Sequence, residues 1–146
     1  MTSPVKRILV AEDDFITATT IQFGLESAGF EVRTACNGIE AWRMLQTERF
    51  DVFVTDEWMP GMSGSEVCQR LRQQPLLARM PIVMVTAKHL GHELQWLREE
   101  LGVRALVSKP FSTRALILIV EHCLHNDADV RGIEATAALH QEPTSS

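Results

Sequence analysis

The chain has 146 residues, 45% of them apolar and 23% charged, the size and balance of one globular domain with a single core. A net charge of -5 argues against a broad electrostatic grip on nucleic acid, so direct DNA binding by this chain is not expected. The longest unbroken apolar run, Ala115 to Val120, is far too short to cross a bilayer. The opening "MTSPVKRILVAEDD" has no long apolar stretch before its acids, so neither membrane insertion nor secretion is expected and the setting reads as cytoplasmic.

The first element is a short β-rich run, "RILVA" (7–11). "ITATTIQFGLESAG" (16–29) follows with Ile16, Ile21, Leu25 and Ala28 at helical spacing and closes on Gly29, a good helix-ending residue. "EVRTA" (31–35) alternates like an edge strand. "GIEAWRMLQTE" (38–48) places Ile39, Trp42 and Leu45 on one helical face. "DVFVT" (51–55) is a third strand, and "SGSEVCQRLRQQ" (63–74) a helix with Ser63 or Ser65 as its cap. "PIVMVTA" (81–87) is a nearly unbroken apolar strand. "HELQWLREELG" (92–102) is a helix ended by Gly102. "RALVS" (104–108) is a fifth strand, and "STRALILIVEHCLH" (112–125) a fifth helix.

The βα unit thus recurs five times. Strands that are continuously apolar, as at 8–11, 52–54 and 82–85, imply burial on both faces, the mark of a parallel sheet between helices. Right-handed crossovers then give an open, doubly wound α/β fold. From Asn126 the texture turns small and polar, with Gly132 and Pro143. Residues 126–146 read as a largely disordered tail, with a fraying helix near 129–140. Cys36, Cys68 and Cys123 form no CxxC pair and read as reduced thiols that take part in packing.

In such a sheet the carboxyl ends of the strands share one rim, where ligands bind. Past the first strand stand Glu12, Asp13 and Asp14; at the end of the third, Asp56; at the fourth, Thr86 and Ala87; at the fifth, Lys109 and Pro110. Carboxylates about 4 Å apart repel by roughly 4 kcal/mol at an intermediate dielectric, so the cluster calls for a cation. All-oxygen ligation with room for water and phosphate suits Mg²⁺. A carboxylate nucleophile, a metal, a lysine and a hydroxyl are the parts of phosphoryl transfer to an aspartate.

The set resembles the receiver domain of two-component response regulators. "ILVAEDD" resembles the family's acidic-pair strand end and "DEWMPGMSG" its D-x-x-M-P-x-M-x-G signature. "VTA" resembles its switch-threonine strand and "SKPF" its Lys-Pro-Phe. The resemblance covers roughly residues 6–125 and implies a flavodoxin-like (βα)5 three-layer sandwich with strand order 2-1-3-4-5. It also implies Asp56 as phosphoacceptor. Asp13 and Asp56 would ligate Mg²⁺ directly, Glu12 through water and Trp58 by its backbone carbonyl, while Thr86 and Lys109 bind the phosphoryl group. It further implies a cis Lys109–Pro110 peptide. Met59-Pro60 with Gly61 and Gly64 turns the loop tightly after Asp56.

Two positions depart from the family. Leu106 stands where receivers carry an aromatic switch residue, and the chain has no tyrosine. Trp58 is bulky and, with Lys88, borders the path of attacking water, so it is expected to slow loss of the phosphoryl group. In the fifth helix Leu116, Ile119, Val120 and Cys123 face the sheet and Leu118 faces away. Leu118 and Leu106 suggest an apolar patch on the face of the fourth helix, fifth strand and fifth helix, suited to a homodimer or partner.

The resulting expectation is a single-domain switch, not a metabolic enzyme. A histidine kinase or histidine phosphotransfer protein supplies the phosphoryl group, and a downstream protein effector reads the changed surface. The rival is a phosphorylation-independent binding module with a relic pocket. A haloacid-type phosphohydrolase would need a second aspartate where Trp58 stands, and a flavin carrier's phosphate would be repelled by "AEDD". The pairs His89/His92 and His122/His125 have metal-ligand spacing but read as surface histidines, and Met59, Met62, Met80 and Met84 as packing.

Overall fold

A computed structural model describes residues 4–86 and 93–125. The elements are β1 (Arg7–Ala11), α1 (Phe15–Ser27), β2 (Glu31–Ala35), α2 (Gly38–Thr47), β3 (Val52–Asp56), α3 (Gly64–Gln73), β4 (Ile82–Thr86), α4 (Glu93–Glu100), β5 (Ala105–Ser108) and α5 (Thr113–His125). Five parallel strands pair in the order β2-β1-β3-β4-β5. The expected βα rhythm and strand order are both present. The tail 126–146, Ala87, Lys88, His89 and His92 lie outside the described residues.

Strand alternation divides the core in two. Ile8, Val10, Val54, Val83 and Val85 point to one face, where Ile21 and Leu25 of α1 and Leu116, Ile119 and Val120 of α5 cover them. Leu9, Phe53, Met84 and Leu106 point to the other, under Ala41 and Leu45 of α2, Val67 and Leu71 of α3, Leu97 of α4 and Leu101 just past it. β3 and β4 are buried along their whole length, whereas β2 shows the alternating exposure of an edge strand.

Polar side chains start the helices. Asp14 caps α1, Asn37 caps α2, and Ser63 caps α3 in a reciprocal capping box with Glu66. Gly29, just past α1, has φ 100°, the left-handed turn that glycine takes most readily.

Four expectations need correction. Ile16 is 74% exposed: at 100° per residue it lies about 140° from Ile21, and the inner face of α1 is Ala18, Ile21, Gly24 and Leu25. Ile39 is likewise exposed, because the buried face of α2 is centred on Ala41 and Leu45. Cys36 is exposed, so only Cys68 and Cys123 take part in packing; burial pushes their thiols up to about 12 and about 11. Leu106, expected on a surface patch, is 7% exposed and packs in the core cluster that holds Met84, Leu97, Leu101 and Val103. It belongs to the core under α4, so of the two leucines expected in the patch only Leu118, 45% exposed, reaches the surface. The methionines do pack: Met84 is fully buried, and Met59, Met62 and Met80 lean on the same cluster.

Candidate functional site

The strand order reverses between β1 and β3, and the crevice beyond their carboxyl ends is where such sheets bind ligands. Asp56 is the last residue of β3, and its strand partner Val85 sets Thr86 one step further along β4. Glu12 follows β1 directly, held by its backbone N–H, which donates to the Ala35 carbonyl at 3.0 Å. Carboxylate oxygens of Glu12, Asp13 and Asp56 lie within 4.8 Å of one another. Glu12 and Asp56 are buried and Asp13 is exposed, so the cluster opens to solvent on one side.

Lys109 closes the other side. Its Nζ donates to Glu12 Oε1 at 2.8 Å and to Asp56 Oδ2 at 3.2 Å. Its backbone N–H donates to the Thr86 carbonyl at 2.8 Å, which ties the ends of β4 and β5 together. The Lys109–Pro110 peptide is cis. Burial raises the Glu12 carboxyl above the usual range, against the pull of Lys109. Burial lowers Lys109, but its bonds to Glu12 and Asp56 together outweigh this and hold its ammonium above the ordinary value.

Asp14 stands apart from the cluster. Its carboxylate accepts from the Thr17 N–H at 2.9 Å as the α1 cap, and its own N–H donates to Glu12 Oε2 at 3.1 Å. Trp58 is 55% exposed on the rim, with its N–H 3.4 Å from Asp56 Oδ1. Both residues of the His122/His125 pair are exposed, and the acidic trio is the one metal-ligating group found among the described residues.

The loop after Asp56 is held more tightly than its turn residues alone suggest. Ser65 donates through both its N–H and its Oγ to Glu57 Oε1, each at 2.7 Å. Thr55 Oγ1 donates to the Asp56 carbonyl at 2.8 Å. A Cβ at Gly64 would run into that same carbonyl, and one at Gly38 into the carbonyl of Met62. Sequence reading missed Glu57, Thr55 and Gly38. The available signal was weak: an acid near a helix N-terminus suits the helix dipole, but nothing local pairs Glu57 with a serine eight residues on.

Three oxygen donors from carboxylates, two buried and one facing water, form a donor set that fits a small hard divalent cation better than a soft metal. Together, the doubly wound sheet, the acid cluster at its switch point and the lysine across from it define an α/β domain with an acidic, lysine-closed crevice at its carboxyl rim. The family model of the response regulator receiver domain matches residues 8–121, and the chain belongs to that family: it is a receiver domain of two-component response regulators.

The chain is 42% identical over 109 residues to the alkaline phosphatase synthesis transcriptional regulatory protein PhoP of Bacillus subtilis, covering 75% of this chain and 44% of that protein. It is 40% identical over 119 residues to the phosphate regulon transcriptional regulatory protein PhoB of Rhizobium meliloti, covering 81% and 52%. The chain thus spans about half the length of these curated relatives. Among solved structures, the Vibrio cholerae chemotaxis protein CheY4 is 29% identical with a TM-score of 0.76, covering 82% of this chain and 98% of that one. A putative response regulator from Chloroflexus aurantiacus is 31% identical with a TM-score of 0.78, covering 84% and 100%.

Proposed function

We propose that the chain is a phosphorylation switch in which Asp56 accepts a phosphoryl group from a phosphohistidine of a histidine kinase or histidine phosphotransfer protein. The observation that carries this reading is the meeting of Glu12, Asp13, Asp56 and Lys109 at one rim. A carboxylate oxygen of Asp56 attacks phosphorus, the P–N bond breaks as the P–O bond forms, and the imidazole leaves as the neutral base after taking a proton. Lys109 turns from the acids to the incoming phosphate oxygens, and Thr86 offers a hydroxyl from the neighbouring strand.

Glu12, Asp13, Asp56 and the Trp58 carbonyl would hold Mg²⁺, which supplies charge neutralisation to the transferring group. The new charge of about -2 biases the domain between two surface states that a protein effector distinguishes. The chain acts on no substrate beyond its own aspartate, and its place is the cytoplasm. The described residues contain no helix long and apolar enough to cross a membrane. PhoP and PhoB are transcriptional regulators by name; what we extend from them is the receiver chemistry alone.

The test is intact mass after incubation with acetyl phosphate, with Mg²⁺ and with EDTA, beside Asp56→Asn. One Mg²⁺-dependent phosphoryl addition, absent in the variant, is the expected result. No addition to the folded protein in Mg²⁺ would favour a phosphorylation-independent binding module.

A further inference from the structure

The outer face of α1 is unlike that of a solvent-facing helix. Of its 13 residues only Glu26 is charged. Ile16, Thr19, Thr20 and Phe23 fall at the i, i+3, i+4, i+7 spacing of an apolar stripe, on the side opposite Ala18, Ile21 and Leu25. Phe15 flanks the stripe. Phe15, Ile16 and Phe23 are 80%, 74% and 72% exposed, so no described part of the chain covers them. Single exposed apolar residues are ordinary, but three on one charge-poor helix mark a contact surface.

We propose that this face binds a second copy of the chain, with α1 packed on α1 about a twofold axis at Thr19–Thr20. The stripe is self-complementary, as a twofold contact requires. It is small in the middle and bulky at both ends, so an antiparallel crossing lets the helices approach to about 8–10 Å and sets Phe23 of one copy beside Ile16 of the other. The charged ends, Asp14 and Glu26, diverge when helices cross at about 50°. Two phenyl rings, an isoleucine and two threonines offer on the order of 500 Å² per copy. Two copies then bury about 1,000 Å², the lower bound of a specific interface and the size of a weak, reversible dimer.

The dimer has a consequence for the site, which rests on the phosphoacceptor reading above. Ile16 and Thr20 also wall a groove of about 430 Å³ that runs past Pro110 and Phe111 to Lys109. A second copy seated on α1 closes this groove to a protein phosphodonor. Self-association and phosphorylation by a protein then exclude one another.

Sedimentation velocity on the full chain, from about 1 to 500 μM at low and high salt, tests the contact. The expected result is a concentration-dependent dimer that tightens with salt, because each copy carries a net charge of -5 and the contact itself is uncharged. Phe23→Lys should weaken it at least tenfold while leaving the thermal melt unchanged. Leu118→Glu on α5 should leave it intact. A monomer at every concentration overturns the proposal, as does a dimer that survives Phe23→Lys or is lost in Leu118→Glu. None of these readouts involves phosphorylation, so they stand or fall apart from the acetyl phosphate experiment.

Discussion

Glu12 and Lys109, 97 residues apart in the chain, are joined by a 2.8 Å ion pair whose acid is almost fully buried. Lys109 also reaches Asp56 at 3.2 Å, so one ammonium serves two buried carboxylates. This pair joins the far ends of β1 and β5 across the sheet. Its partners are held in place by strands and not by the loop alone.

Removing the lysine should therefore expose the repulsion it masks. Lys109→Ala is expected to lower stability by about 1–3 kcal/mol at neutral pH, less than for a fully dry pair because the lysine is 24% exposed. Lys109 sits above its ordinary value of 10.5, so its contribution is complete below that pH and is lost only as pH rises through the folded value. Urea unfolding of wild type and variant at neutral pH and near pH 11 checks both halves. A difference that persists unchanged at the alkaline end would contradict the ion-pair account.

Asp13 should behave in the opposite sense. It adds a third carboxylate to the cluster and is exposed, while Lys109 pairs with Glu12 and Asp56. Without metal it is a source of repulsion, as functional clusters often are. Asp13→Asn is expected to raise the melting temperature by about 2–4 °C in EDTA, the shift for roughly 1 kcal/mol in a chain of this size. The same variant should lose the stabilisation that Mg²⁺ gives wild type. Paired melts with Mg²⁺ and with EDTA report both effects.

Gly64 is where the signature loop closes on the strand it left. A side chain there would strike the Asp56 carbonyl, which is backbone and cannot swing aside. Gly64→Ala should cost about 1–3 kcal/mol and displace the end of β3. Phosphorylation by acetyl phosphate should fall even at temperatures where the variant stays folded. A variant that is less stable but accepts phosphate at the wild-type rate would show that the loop moves without Asp56.

The sheet was legible because each strand carries its own burial pattern, continuous in β3 and β4 and alternating in β2. The rim residues were legible because parallel topology delivers every strand end to one edge. What escaped were facts set by packing between elements. Leu106 looked like a surface residue because a four-residue strand does not reveal what covers it; Leu97 of α4 and Leu101 just past it do. Ile16 looked like core because apolar character alone does not tell an inward face from an outward one. Glu57 holds its loop through Ser65, a link that no local spacing rule encodes.

The thiols give a check on the core that is independent of the site. Cys68 and Cys123 are buried, with thiols pushed up to about 12 and about 11, whereas Cys36 is exposed after β2. Only thiolate alkylates, so the buried pair should be inert at neutral pH. Brief iodoacetamide treatment of the native chain should add one group, at Cys36, and three in denaturant. Rapid addition of a second group to the native chain would mean that the α3 or α5 packing opens more readily than the buried cluster implies.

Trp58 remains as the residue that sets the phosphorylated lifetime on the proposed reading. It lies two residues after Asp56, 55% exposed, on the loop whose N–H bonds the acceptor's own carboxylate. An indole at that rim presents apolar area where a hydrolytic water must approach, and it offers no acceptor to orient that water. Asparagine is smaller and can hydrogen-bond water. Trp58→Asn is therefore expected to shorten the phosphoaspartate lifetime a few-fold, or roughly 0.5–1 kcal/mol in barrier, while Trp58→Phe should keep most of the protection. Decay of the phosphorylated mass after rapid removal of acetyl phosphate measures it. An unchanged lifetime in the asparagine variant would show that water reaches the phosphoryl group by a path the indole does not border.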